Sequence, residues 1–227
     1  MRIEDTIHVA GVIDAGEAEM LIDCGVRFLG FPLVLGYHKE DLSVSEAAAI
    51  VARFGDRATF FLITYLATAK EIAALCATLN VGVVQLHADV DVSELVDLRG
   101  AKPGLRIVKS LIVRDDNADG LAGLTTELAP YVDAFITDTF DPETGASGAT
   151  GKTHDWVVSR RLVELSPKPV ILAGGLTASN VREAIAFVRP AGVDVHTGVE
   201  RDDGRKCPDL TTRFVAEARA GFASIQP

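Results

Sequence analysis

Apolar residues return along this chain in two alternating rhythms. Short runs rich in β-branched and aromatic residues, such as Ala134-Phe135-Ile136-Thr137 and Val170-Ile171-Leu172, precede longer stretches with apolar positions every three or four residues. The first rhythm predicts buried strands and the second amphipathic helices. Strands are expected at 7–10, 26–31, 58–63, 81–86, 105–110, 134–137 and 170–172, with an eighth around Asp194. Helices are expected near 15–24, 43–54, 68–79, 93–98, 120–129, 155–165, 180–188 and 209–220. Ser43 and Thr68 are the expected N-caps, because a hydroxyl there can accept a first-turn N–H. Strand and helix alternate eight times within 227 residues, and no linker interrupts them. That count favours one domain over residues 1–227, a single closed (β/α)8 barrel, rather than an open doubly wound sheet.

Composition narrows the partners. A net charge of −10 argues against nucleic acid or an anionic membrane as the main partner, since both need a basic face. A phosphorylated small molecule stays open, provided backbone N–H groups and a few cations bind it. No apolar run is long enough to span a bilayer, and Met1-Arg2-Ile3-Glu4-Asp5 lacks the apolar core of a signal peptide. A cytoplasmic monomer or homodimer is the expectation. Cys24, Cys76 and Cys207 are far apart and odd in number, so Cys24 and Cys76 read as reduced core residues. No cofactor is expected.

In such a barrel, chemistry gathers at the C-terminal ends of the strands. Those ends bring His8, Thr64, Tyr65, His87, Lys109, Ser110, Asp138, Gly174, Gly175, Asp194, His196 and Thr197 to one mouth. Gly174-Gly175 sits between a strand and a helix. Backbone without a Cβ, next to free helix N–H groups and the positive end of the helix dipole, makes a seat for phosphate. The segment from Asp194 to Glu200 repeats the strand-then-glycine arrangement with Thr197 and Gly198. Two such loops in succession favour phosphate over a plain tight turn. Gly148 and Gly151, in the loop after strand six, suit a flap or an anion nest. Residues two apart on a strand share a face, and strands one and eight adjoin in a closed barrel. His8, Asp194 and His196 are therefore expected to converge, as an Asp–His base or as hydrogen-bonded rim residues. A metal held by these three is a weaker reading, because histidine spacing alone names no metal; none is expected.

The segments Thr137-Asp138-Thr139, Gly148 to Trp156, Leu172 to Leu176 and Gly192 to Glu200 resemble phosphoribosylanthranilate isomerase of tryptophan biosynthesis. Val84-Gln85-Leu86-His87 is similar to that family's strand-four motif. The resemblance implies a (β/α)8 enzyme that opens a phosphoribosylamine and performs an Amadori rearrangement. It implies Asp138 as general acid, Gly174, Gly175, Thr197 and Gly198 as phosphate contacts, and Asp194 as an active-site residue. Two positions depart from the pattern. The family's first strand ends Lys-Ile-Cys-Gly, with the cysteine as base, whereas this chain reads His8-Val9-Ala10-Gly11. The family's arginine for the anthranilate carboxylate has no counterpart in Leu35 to Asp41, where Lys39 supplies charge without a bidentate fork. His196 stands where the family usually has serine.

The leading expectation is therefore a phosphosugar isomerase with an altered base and an altered substrate. The alternatives are a lyase or aldolase using Lys109 as a Schiff base, and a non-catalytic phosphate-binding homologue.

Overall fold

A computed structural model describes residues 4–35, 41–114, 117–139 and 155–225. Lys39, Gly148 and Gly151 lie outside the described residues. The chain runs β1 (Thr6–Ala10), α1 (Ala15–Asp23), β2 (Phe28–Pro32), α2 (Val44–Phe54), β3 (Thr59–Thr64), α3 (Ala69–Leu79), β4 (Val83–Leu86) and α4 (Val92–Ala101). It continues β5 (Arg106–Val113), α5 (Ala118–Leu128), β6 (Ala134–Thr139), α6 (Trp156–Leu165), β7 (Val170–Leu172), α7 (Val181–Val188), β8 (Gly192–Val195) and α8 (Pro208–Ile225). The strands form a closed barrel in sequence order, with neighbours parallel. β1 completes it against β8, His8 opposite Asp194 and Val9 opposite Val195. The (β/α)8 barrel expected from the alternating rhythms is the observed architecture.

Strand alternation sorts the side chains into two cores. Phe61, Val83, Val108, Ala134, Ile136, Ile171 and Ala173 fill the barrel interior. Residues one step away, among them Leu62, Val84, Ile107 and Phe135, join the helices' apolar faces in a larger outer core. Fully burying a side chain of this size contributes roughly 1.5–3 kcal/mol, so this double layer holds the barrel closed. The two expected caps are present. Ser43 and Glu46 exchange bonds in a capping box, and Thr68 Oγ1 accepts from Glu71 N at 3.4 Å. Each such cap typically contributes ~1 kcal/mol.

Two strands run further than their apolar residues suggested. Leu111, Ile112 and Val113 of β5 pair with Thr137, Asp138 and Thr139 of β6. Lys109, Ser110 and Asp138 therefore sit inside the hydrogen-bonded ladder rather than beyond it. β4 starts two residues later than expected, because Asn80 turns left-handed (φ 55°) to end α3. Among the described residues, no helix is long and apolar enough to cross a membrane.

Candidate active site

The ends of β4 and β6 meet in a set of buried polar groups. Asp138 is 8 % exposed, and its Oδ1 accepts from Thr139 N at 2.9 Å. Burial, and then the Asp194 carboxylate, push the Asp138 carboxyl up to about 7 against that bond. Across from it, His87 Nε2 lies 3.6 Å from Asp138 Oδ2 and 2.9 Å from Gln85 Nε2. Gln85 Nε2 also donates to Ser110 Oγ at 3.3 Å, and Tyr65 stacks on the His87 ring at 5.1 Å. Burial, then the nearby Lys109, pull His87 down to about 4. His87 is thus neutral at neutral pH. With the Gln85 amide donating, its Nε2 is an acceptor facing a carboxyl that still carries its proton part of the time.

Deeper in the barrel, His8 Nδ1 lies 2.5 Å from Asp194 Oδ1. The His8 ring is buried, stacks on Phe61 at 4.4 Å, and leaves Nε2 without a partner. His196 is half-buried just past β8. Continuing the β1–β8 register one step beyond Val9 and Val195 places it beside Ala10. Its Nε2 faces Glu200 Oε1 at 3.4 Å, and that same oxygen accepts from Lys206 Nζ at 2.5 Å. The buried Lys206 is itself tied down, since its N donates to Glu17 Oε1 at 2.8 Å. Glu17 Oε2 accepts from Ile13 N at 3.1 Å, and burial raises the Glu17 carboxyl above its usual range. Burial, then Lys206, pull His196 down to about 4, with Asp194 opposing. His8, Asp194 and His196 do converge, but Asp194 takes His8 as its partner and His196 takes Glu200.

The two glycine loops touch. Gly174 and Gly175 are both left-handed (φ 105° and 61°). Asn180 holds this turn, donating from Nδ2 to Gly175 O at 3.0 Å and accepting from Thr177 N at 2.8 Å. Thr197–Val199 forms a short 3₁₀ turn after β8. A Cβ on Gly198 would lie 1.9 Å from Leu176 O, so the close approach of the loops requires glycine there.

Lys109 is near enough for its charge to act on His87, but it leaves β5 on the other face. Its register partners are Leu86 and Phe135, both in the outer core, and its Nζ donates to Ser110 O at 2.9 Å. It shares neither face with Val108 nor with Ser110, which point inward. The Schiff-base alternative named Lys109, and that lysine is not aimed at the barrel interior. Among the described residues, no three His, Cys, Asp or Glu side chains are grouped to hold a metal ion. Glu17 and Lys206 went unread in the sequence. Glu17 had a signal, being a lone carboxylate beside Ala18, Leu21 and Ile22 on the buried face of α1; Lys206 had none.

Comparison with known proteins agrees with this architecture. Residues 63–217 match the family model described as N-(5'phosphoribosyl)anthranilate (PRA) isomerase. The N-(5'-phosphoribosyl)anthranilate isomerase 2 of Methanosarcina mazei is 36% identical over 223 residues, covering 97% of this chain and 96% of that protein. The chain belongs to the phosphoribosylanthranilate isomerase family. The Haloferax volcanii member is 40% identical over 167 residues, 74% of this chain and 71% of its own. The solved isomerase of Pyrococcus furiosus superposes with a TM-score of 0.78 at 26% identity, covering 96% of this chain and all of that one. As a phosphoribosylanthranilate isomerase family member, the chain is an enzyme of the intramolecular oxidoreductase type, and the lyase and non-catalytic alternatives are not favoured.

Proposed function

We propose that this chain carries out an Amadori rearrangement on an N-linked phosphoribosylamine, with Asp138 as the general acid. The observation that carries the reading is a buried carboxyl, held up to about 7, in the same barrel mouth as two abutting glycine loops. Gly174, Gly175, Thr197 and Gly198 would hold the 5-phosphate through backbone N–H groups. Asp138 gives its proton to the ring oxygen, and the C1–O bond breaks as the nitrogen lone pair forms a C1=N bond. Loss of the C2 proton then sends its electron pair into C1=C2 and returns the C=N pair to nitrogen. Proton gain at C1 and loss from the C2 hydroxyl complete the ketose. His87, neutral and hydrogen-bonded by Gln85, is placed to orient the substrate hydroxyls.

The amine half of the substrate is where this chain departs from its family. Ala10 offers no proton acceptor, and the segment from Leu35 to Asp41 contains no arginine for an aromatic carboxylate. We therefore propose a weaker demand for the anthranilate carboxylate, in a cytoplasmic monomer or homodimer. The test is purified protein with phosphoribosylanthranilate and with phosphoribosylaniline, which lacks the carboxylate. Isomerisation of both, with less than tenfold preference for the acid, is expected. Isomerisation of neither, with phosphate still bound, would overturn the reading.

A further inference from the structure

We propose that His196, on β8, is the base that takes the C2 proton, through Nδ1, in place of any acceptor on β1. This rests on the Amadori reading above. The chain needs an acceptor at the mouth, and two histidines are near enough to be considered. His8 is the poorer one. Its ring is 1 % exposed, and its free nitrogen is sealed in the interior, where no sugar carbon can reach it. Its other nitrogen is committed to Asp194 at 2.5 Å. His8 therefore holds Asp194 in place rather than touching substrate.

His196 meets each requirement. Its side chain is 29 % exposed at the open end of the barrel, beside Ala10 by register. Its orientation is fixed from behind. Nε2 faces the Glu200 carboxylate, which the buried Lys206 pins and Glu17 supports in turn. A carboxylate beside Nε2 favours the tautomer with its proton there, leaving the lone pair on Nδ1, and Nδ1 has no hydrogen-bond partner among the described residues. Gly11 gives the ring its room: φ is +78° and a Cβ would lie 2.1 Å from Nε2. Among the described residues, the titratable groups that act on the ring are Glu200, Asp194, Lys206 and His8. Burial, then Lys206, oppose the imidazolium formed when the proton arrives and return the ring to its neutral form, while Asp194 favours the charged ring for the time it exists. The step balances. The C2–H bond breaks, its proton goes to Nδ1, and its electron pair forms C1=C2 as the C1=N pair moves to nitrogen. The imidazolium then protonates C1, and the C2 hydroxyl proton returns to the Asp138 carboxylate.

The experiment is steady-state kinetics of wild type, His196→Ala, His196→Gln, Ala10→Cys and the Ala10→Cys/His196→Ala pair, on whichever phosphoribosylamine the wild type isomerises fastest. Binding of inorganic phosphate is followed by ³¹P NMR. His196→Gln keeps a polar side chain facing Glu200 without a basic nitrogen, and serves if the alanine variant fails to fold. The expected result is a fall in kcat of ~10²–10⁴ in both His196 variants with phosphate binding intact, the usual range for a general base. A thiol at residue 10 should restore at least tenfold in the His196→Ala background, which a merely structural histidine would not allow. Retention of kcat within threefold in either His196 variant overturns the assignment, as does an Ala10→Cys gain no larger without His196 than with it. A wild type that isomerises no phosphoribosylamine overturns instead the reading on which this one rests.

Discussion

Gly11 and His196 are fitted to each other across the β1–β8 seam, the bare Cα of one giving the imidazole of the other its place. Gly11→Ala meets two penalties, a left-handed backbone and a clash with the ring. Strained backbone alone amounts to about 1–3 kcal/mol. The variant is expected to lose at least that much in chemical denaturation, and less when His196 is already alanine. Equal losses in the two backgrounds would show that the ring and the glycine do not press on each other.

Asp138→Asn keeps the shape of the carboxyl but cannot deliver its proton. A fall in kcat of ~10²–10⁴ with an unchanged circular dichroism spectrum is expected. The pH dependence has a definite sign. A carboxyl raised from 3.8 to about 7 gives stability that is complete below 3.8 and disappears as pH rises through 7. Between pH 4 and pH 7 the wild-type Tm should therefore fall relative to that of the asparagine variant. Parallel Tm curves would remove Asp138 from the list of raised carboxyls.

The Asp194 carboxylate is the second cause of that raised value, after burial. In Asp194→Asn, His8 Nδ1 can still donate to the side-chain oxygen, so the pair's geometry survives while its charge goes. The alkaline limb of kcat/KM, which reports loss of the Asp138 proton, should move to lower pH. A limb that stays in place or moves up would mean that Asp194 acts on the acid by some other route.

Gly198→Ala would drive a methyl into the Leu176 carbonyl and part the two glycine loops. Inorganic phosphate should inhibit the wild type competitively, and this inhibition should weaken at least tenfold in the variant. KM should rise more than kcat falls. Unchanged phosphate inhibition would place the anion elsewhere.

The barrel itself was legible because the units repeat: Val170-Ile171-Leu172, short, apolar and bounded by Pro169 and Gly174, reads as a buried strand, and Ser43 and Thr68 announce their helices. The ends of β5 and β6 were not, since Ser110, Asp138 and Thr139 look like rim residues until a neighbouring strand pairs with them. The faces of His8 and Asp194 could be counted by twos, and their meeting followed from closure. Which histidine Asp194 would choose depended on depth in the barrel, which only the register fixes. The support behind His196 joins Glu17 to Lys206 across 189 positions. Local pattern carries nothing over that distance.

Closure of the sheet also bears on how such a chain diverges. The first and last strands pair in parallel as consecutive strands do, with His8 against Asp194. A residue lost near the amino end can be compensated by one gained near the carboxyl end without any backbone movement. Positions 10 and 196 should then drift as a linked pair among relatives, a small side chain at one accompanying a basic ring at the other. Residues 9 and 195, which face the outer core, should vary with the helices instead.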